Sequence, residues 1–486
     1  MSVLIKNATL VNADTSERAD ILTRNGIIEK IASEIEPSEV GGVEGGLTEI
    51  IDAAGHYVIP GGVDVHTHFN IDVGIATSCD DFYSGTVSAA CGGTTTIVDH
   101  MGFGPAGCSL HHQLERYHEF ARDKAVIDYS FHGTIQHIND GILREMESMV
   151  QEEGISSFKI YLTYDFKLND SEILAALERL NQLNALTCVH PENDGAIRFL
   201  KERILGQGSN APIYHALSRP PECEAEAVGR MINLATLAGD APIYIVHLSN
   251  GIGLEYIRQA HQRGQAVFAE TCPQYLLLDI NKYNTMSDQV SIASHPYDEG
   301  LKYIMSPPLR DHYHQNQLWQ GVIDGTISTL ATDHCAFTLA QKRAGRDGFQ
   351  YCPNGMPGVE NRVPLLFSEG VMKDRISINH FVELVSTRPA QLFGLYPRKG
   401  LIAEGADADL VIIDPTKEVT LSQGLMHGGS DYCPYEGIKL LGYPVMTLSR
   451  GRVIVRDGQF IGRPGHGRFL HRQPLNECYR YWENGE

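Results

Sequence analysis

His66-Thr67-His68 closes a short apolar run and sets two imidazoles two positions apart. On an extended strand such side chains face the same way, so both rings can converge on one cation. The spacing alone is weak evidence, because His312-Tyr313-His314 repeats it in a polar stretch beyond a Pro-Pro turn. Recurrence gives it weight. His190 closes the run ALTCVHP, His247 closes PIYIVHLS and Asp333 closes TISTLATDH. Four imidazoles and one carboxylate at strand ends make an N/O donor set suited to a divalent ion of the zinc type.

Lys159, in Phe158-Lys159-Ile160-Tyr161-Leu162, poses the sharpest chemical question. If positions 158, 160 and 162 pack outward, Lys159 points inward, at the level of the same donors. An ammonium beside a divalent cation is strongly repelled in a low-dielectric site. Two outcomes stay open. Either Lys159 turns to a carboxylate and is structural, or burial depresses its pKa and it reacts with CO₂, giving a carbamate anion able to bridge two metals.

These residues need a scaffold that brings strand ends together. Eight β-branched-rich runs occur in order, at 62–68, 94–100, 125–133, 156–162, 185–191, 242–249, 265–271 and 326–334. Amphipathic stretches such as SEILAALERLNQL and GLEYIRQAHQRG fall between them. Near-continuous apolar strands alternating with helices indicate parallel βα units. Residues 56–395 are therefore expected to form a (β/α)₈ TIM barrel, with its site at the C-terminal ends of the strands. Residues 1–55 and 396–462 carry short β-type runs instead, with a hairpin signal at Asn25-Gly26. Each piece is too small to bury a sheet alone, so the two are expected to meet as one small β-sandwich. Residues 463–486 form a basic tail in an acidic chain, expected to lie across a neighbouring subunit.

Charge narrows the function further. With 60 acidic against 39 basic residues and a net charge of −21, the chain lacks the basic face that phosphate neutralisation demands. The same balance opposes adhesion to anionic membranes. Neither a secretory leader nor an apolar run long enough for a membrane helix is visible. The ten cysteines include no C-x-x-C pair and read as reduced, mostly buried thiols, which suggests the cytoplasm.

Ile59-Pro60-Gly61-Gly62-Val63-Asp64-Val65-His66-Thr67-His68 resembles the opening signature of the amidohydrolase superfamily. Asp80-Asp81-Phe82-Tyr83-Ser84-Gly85-Thr86, Gly92-Gly93-Thr94-Thr95, Phe158-Lys159 to Tyr164 and Val189-His190-Pro191-Glu192-Asn193 are similar to hydantoinase motifs. So are His247-Leu248-Ser249-Asn250, Ser306-Pro307-Pro308-Leu309-Arg310, Asp333-His334-Cys335 and the run from Pro353 to Glu360. The joint pattern covers most of residues 1–470 in order. By it the chain is identified as a member of the dihydropyrimidinase/hydantoinase family, most similar to the bacterial D-phenylhydantoinase branch.

The resemblance implies two divalent metals per subunit, zinc first, with manganese or cobalt as substitutes. It puts His66 and His68 on the more buried ion and His190 and His247 on the second. Lys159, carboxylated at N6, would bridge them, and Asp333 would bind the first ion and shuttle the proton. Tyr164 would polarise the scissile carbonyl, while backbone groups of Ser306 and Asn354 hold the ring imide. The implied reaction is attack of a metal-bridging hydroxide on a D-5-monosubstituted hydantoin, such as an aryl one, to give an N-carbamoyl-D-amino acid. Dihydropyrimidinase and allantoinase activities are the alternatives, and a homotetramer is the implied assembly. A non-catalytic scaffold homologue would have lost ligands, whereas all six positions are filled here. Dihydroorotase is disfavoured because Asn70 stands where that enzyme typically carries an arginine. Pro191, where many members have alanine, departs from the pattern without touching a ligand.

Loops after strands one, two and four carry Phe69 and Ile71, Met101 and Phe103, and Tyr161 with Phe166. These are candidates for a pocket around a bulky substituent, with packing of the barrel rim as the plain alternative. Other polar residues take plainer roles: His111, His112 and His118 a solvated helix face, and His132 a core histidine as readily as a functional one. Asp99-His100 could support the site, and Cys335 could line it. Glu222, Glu224 and Glu226 open a helix, where the dipole favours carboxylates.

Overall fold

A computed structural model describes residues 2–37, 49–284 and 295–475. The N-terminal segment lays down β1 (Ser2–Val11), β2 (Ser16–Arg24), β3 (Ile27–Ala32), β4 (Glu49–Asp52) and β5 (Tyr57–Pro60). Asn25 and Gly26, at φ 52° and 92°, form the tight turn between β2 and β3. Only residues tolerant of the left-handed region fit such a turn.

The centre is the expected barrel. Its strands are β6 (Gly62–Thr67), β7 (Thr94–His100), β8 (Asp128–Thr134), β9 (Ser157–Tyr161), β10 (Leu186–His190), β11 (Ile243–Ile245), β12 (Val267–Thr271) and β13 (Thr329–Leu330). They lie side by side in chain order, and the pairings between neighbours are parallel. β13 is short, yet the ring closes just beyond it. His68 N donates to His334 O at 2.9 Å and His334 N to His66 O at 3.3 Å. Closure thus puts the residues around Asp333 directly beside the His66–His68 pair.

Strand alternation sorts the side chains as expected. Phe158, Ile160 and Leu162 enter the core shared with the helices, whereas Val65, Val98, Cys188 and Tyr244 pack inside the barrel. The crossover helix Asp170–Gln182 shows why this sequence forms helices here. Asn169 and Glu172 make a reciprocal capping box, and Ile173, Ala176, Leu177 and Leu180 form its buried stripe. Helices Phe82–Cys91 and Asp140–Gln151 fill two crossovers for which no helix was expected from sequence, and Asp194–Gly206 adds a second helix to the crossover after β10.

The two chain ends meet in one nine-stranded sheet. β14 (Leu410–Thr420), β15 (Lys439–Ser449), β16 (Arg452–Arg456) and β17 (Gln459–Phe460) join it through antiparallel pairing of β14 with β5. Strand β5 belongs to this sheet, so the N-terminal contribution runs past residue 55 to Pro60. Alternate apolar residues of β1, β2, β5, β14 and β15 share one core, including Ile5, Ile21, Val58, Ile412 and Leu448.

Over residues 463–475 the tail packs on its own chain. Leu470 N donates to Tyr129 O at 2.8 Å, and Arg472 N donates to Gly154 O at 2.9 Å. The Arg472 guanidinium reaches Ser130 Oγ at 2.9 Å and Phe131 O at 2.6 Å. These residues lie across the lower mouth of their own barrel, because buried acceptors there satisfy the arginine. Residues 476–486 fall outside the described part.

Candidate functional site

The candidate residues come together although up to 267 positions separate them. His66 Nε2 lies 3.0 Å and His68 Nε2 3.1 Å from the same oxygen, Asp333 Oδ1. On the other side, His247 Nε2 and His190 Nδ1 are 2.8 Å apart. The halves touch where the His66 and His247 rings stack at 5.4 Å. Tyr164, His247 and Asp333 all carry positive φ, 73°, 41° and 53°. Backbone strain of this kind costs about 1–3 kcal/mol per residue and marks sites that the surroundings over-determine.

Lys159 sits among these donors at 1% exposure. Among the described residues no hydrogen bond or ion pair reaches its Nζ, which stands 5.4 Å from the Tyr161 ring centre. Burial lowers its pKa to about 8, against the pull of Glu270 and Asp333. Burial also lowers His68, to about 4, and takes His247 well below the ordinary histidine range. Such rings keep the lone pairs a cation needs. Burial opposes ionisation of Asp333 too, yet His66 and His68 hold it well below the carboxylate range. The donor types fit a divalent ion: imidazoles and an ionised carboxylate converge on one buried spot.

Carboxylates behind the imidazoles orient them. Glu270, fully buried, accepts from His66 Nδ1, from His247 N at 2.9 Å and from Tyr244 Oη at 2.8 Å. Burial works against a charged His66, but Glu270 and Asp333 outweigh it and raise the ring to about 9. Glu192 lies 2.8 Å from His190 Nε2 and accepts from Arg219 Nη1 at 2.6 Å. Burial opposes its ionisation; Arg219 and His190 overcome this and set it at about 2. Sequence reasoning missed these two glutamates and Arg219. The available signals were a glutamate two positions beyond His190 and an acidic residue inside the apolar run VFAET.

A cavity of about 680 Å³ opens over this cluster, with Tyr164, Ser306 and Asn354 in its wall. Asn354 Nδ2 donates to Ser306 Oγ at 3.1 Å. Burial pushes the Tyr164 phenol up to about 12, so it stays a donor, and the Arg219 guanidinium lies 5.7 Å from its ring. Ile71, Phe103, Tyr161 and Phe166 line the cavity, with Phe103 packed 4.7 Å from Phe166. Phe69 and Met101 do not. Both point into the layer between strands and helices, where Phe69 packs on Phe82 at 5.6 Å.

The remaining candidates separate clearly. Asp99 Oδ2 accepts from Thr67 Oγ1 at 2.6 Å and Phe69 N at 3.0 Å, bracing the His66–His68 strand end. His132 is a satisfied core histidine, bonded to Ser157 Oγ at 2.6 Å and Val65 O at 2.9 Å. His118 is not simply solvated, for its ring packs 4.6 Å from Phe469 of the tail. Glu224 stands in the first turn of helix Pro221–Leu237, as expected, and is fully buried there. It is tied to Arg310 at 3.2 Å and accepts from Ser249 N at 2.8 Å, fixing the loop after His247. His312 and His314 begin a helix outside the cavity. Cys335 lines the cavity with its thiol pushed up by burial, which keeps it protonated.

Two other donor clusters exist among the described residues, Cys91–Glu360–His427 and Asp128–Asp407–Asp409. Both are internally satisfied. His427 Nδ1 pairs with Glu360 at 2.7 Å, and Lys399 Nζ binds Asp128 at 2.7 Å and Asp407 at 2.9 Å. No described helix is long and apolar enough to cross a membrane.

Residues 57–454 match the profile of the Amidohydrolase family. The chain is 57% identical over 476 residues to D-phenylhydantoinase of Escherichia coli (strain UTI89 / UPEC), covering 98% of this chain and 99% of that one. A solved D-hydantoinase shares 44% identity at a TM-score of 0.92, with 98% and 100% of the two chains covered. Dihydropyrimidinase from Brevibacillus agri NCHU1002 shares 42% at the same score and coverage. L-Hydantoinase (dihydropyrimidinase) from Arthrobacter aurescens shares 30% at a TM-score of 0.85, with 97% and 99% covered.

Proposed function

The chain belongs to the amidohydrolase family, and on that premise we propose that it opens the ring of D-5-monosubstituted hydantoins, aryl ones such as phenylhydantoin included. The product is the N-carbamoyl-D-amino acid. One observation carries the reading: a buried lysine with no ion-pair partner among the described residues, set among four imidazoles and a carboxylate under a cavity. Of the two outcomes open for Lys159, a salt-bridged structural lysine loses its support.

As the neutral amine, Lys159 adds its lone pair to CO₂. The N–C bond forms as one C=O π bond of CO₂ opens to a carboxylate oxygen, the released N–H proton passes to solvent water in the cavity, and the donor becomes an anionic carbamate. His66, His68 and Asp333 would hold one divalent ion and His190 and His247 the other, with carboxylated Lys159 between them. The donor types suit zinc, and also manganese or cobalt. When bound, such ions supply Lewis acidity and a hydroxide nucleophile near neutral pH. Asp333 takes up the proton of the attacking water and returns it to the ring nitrogen as the C–N bond breaks. Tyr164 Oη donates to the carbonyl oxygen as charge builds there, an interaction worth about 3–4 kcal/mol. The ring imide meets backbone groups at Ser306 and Asn354, whose side chains hold each other in place.

The 5-substituent faces Ile71, Phe103 and Phe166. Phe103→Ala is expected to shift the kcat/KM ratio between phenyl- and alkylhydantoins by about 1–3 kcal/mol. An unchanged ratio would remove Phe103 from the pocket. Glu192→Gln is expected to weaken metal binding about 10–100-fold, because His190 loses the carboxylate that orients it. Metal titration of the variant against the wild type reads this directly.

The likeness to a dihydropyrimidinase sustains a second reading, with dihydrouracil as substrate; allantoin is the third. Metal analysis combined with ring-opening assays on 5-phenylhydantoin, dihydrouracil and allantoin decides among them. Preference for either alternative substrate would overturn the hydantoinase reading. Cytoplasmic, homotetrameric enzyme is the accompanying expectation, checked by the mass in solution.

A further inference from the structure

His100 is 1% exposed, and among the described residues neither ring nitrogen has a hydrogen-bond partner. A neutral imidazole always carries one N–H, so a buried donor and a buried acceptor are both left unmet. Each omission costs about 1–3 kcal/mol, and the neighbouring core histidine, His132, avoids both. The ring is nonetheless tightly placed. It stacks on His132 at 4.1 Å and on His68 at 5.3 Å, and meets His66 edge-on at 4.4 Å. The ring's nitrogens bond only in the ring plane, so these stacked imidazoles leave both of them unsatisfied.

Strand register identifies the neighbour in its layer of the barrel. His100 on β7 pairs opposite His132 on β8, and Lys159 on β9 pairs opposite Thr134, two positions further along β8. In a tilted barrel, level neighbours climb by about one residue per strand. Over two strands that climb cancels the two-position offset, so His100 and Lys159 stand at one height. Inward side chains from alternate strands make up each barrel layer, and β7 and β9 are alternate strands. Lys159 is also among the charged groups whose field reaches His100. The layer therefore holds two buried groups without partners, an imidazole with an N–H to give and an amine that offers it no matching anion.

We propose that His100 is a positioning residue for Lys159, donating its N–H to an oxygen of the Lys159 carbamate and so holding the modified side chain in place beneath the metals. The inference rests on the carboxylation of Lys159 proposed above. Adding CO₂ turns a donor into an acceptor at the height of His100, which supplies a partner to a ring that otherwise has none. His100→Asn keeps an N–H donor, whereas His100→Phe and His100→Leu keep bulk and remove it.

The test uses the full-length enzyme, stripped of metal and bicarbonate and then reloaded with zinc and ¹³C-bicarbonate. The intact protein's carbamate carbon resonance is followed against bicarbonate concentration, alongside bound zinc and the circular-dichroism melt. The wild type should show the carbamate, and the donor-less variants should need at least about tenfold more bicarbonate for half signal, the scale of one hydrogen bond to a charged group. His100→Asn should stay within a few-fold of wild type. Should neither donor-less variant keep the wild-type melt, His100→Ala replaces them, and added imidazole should restore its signal. A wild type without any carbamate overturns the Lys159 reading and this one with it. A wild-type carbamate with the same bicarbonate dependence in the donor-less variants, or no imidazole effect in His100→Ala, overturns the role of His100 alone.

Discussion

Lys159→Ala should lose bound metal and activity together, with kcat falling by more than about 10³-fold, the scale seen when a catalytic unit is broken. On the proposed reading, the Lys159 carbamate would join the two halves of the donor cluster. His66, His68 and Asp333 stand on one side, and His190 and His247 on the other. Alanine leaves two sets of imidazoles with no shared anion, so the second ion should go first. Lys159→Arg should fare no better, because a guanidinium stays charged and cannot add CO₂. Small carboxylates such as propionate should restore part of the activity to Lys159→Ala by filling the vacated space with an anion. Two metals per subunit and normal turnover in Lys159→Ala would falsify the bridging assignment.

Asp333→Asn should lower kcat by about 10²–10⁴-fold, the range for loss of a positioned acid–base group. The amide is nearly the same size, and its oxygen can still face His66 and His68, so metal should be weakened but not abolished. Metal content measured beside kcat separates the two effects. If activity falls only in proportion to metal, Asp333 is a ligand and not the proton carrier. The wild-type pH profile gives a second check. His66 and His68 hold the Asp333 carboxyl well below its ordinary range. A depressed pKa means the group is ionised at every pH above that range and is protonated only as pH falls further. Any loss of activity between about pH 5 and 7 must therefore come from another group, since an ordinary aspartate titrates near about 3.9.

Much of the candidate site was legible because the chemistry recurs at one kind of position. His66, His190, His247 and Asp333 each close an apolar run, and Lys159 interrupts one at an inward position. Strand period made that readable without coordinates. The loops were less legible. Phe69 and Met101 were as plausible for the pocket as Ile71 and Phe103, yet they turn into the helix layer. At a strand end the alternation breaks down, and the facing of each side chain is set by what it packs against. His118 went astray for a similar reason, since its ring packs on the tail's Phe469.

By itself, the amino-acid order indicated the barrel, the meeting of the two chain ends and the placement of the candidate donors at strand ends. Each depends on local period, and local period survives in one dimension. Tertiary structure alone decided what holds those donors. Glu270 lies 204 positions from His66 in sequence and meets its ring, while Arg219 reaches back to Glu192 behind His190. It also decided that, among the described residues, no ion pair reaches Lys159 and no hydrogen bond reaches the His100 ring nitrogens. An absent counter-ion is a fact about everything around a side chain, so no stretch of sequence can state it.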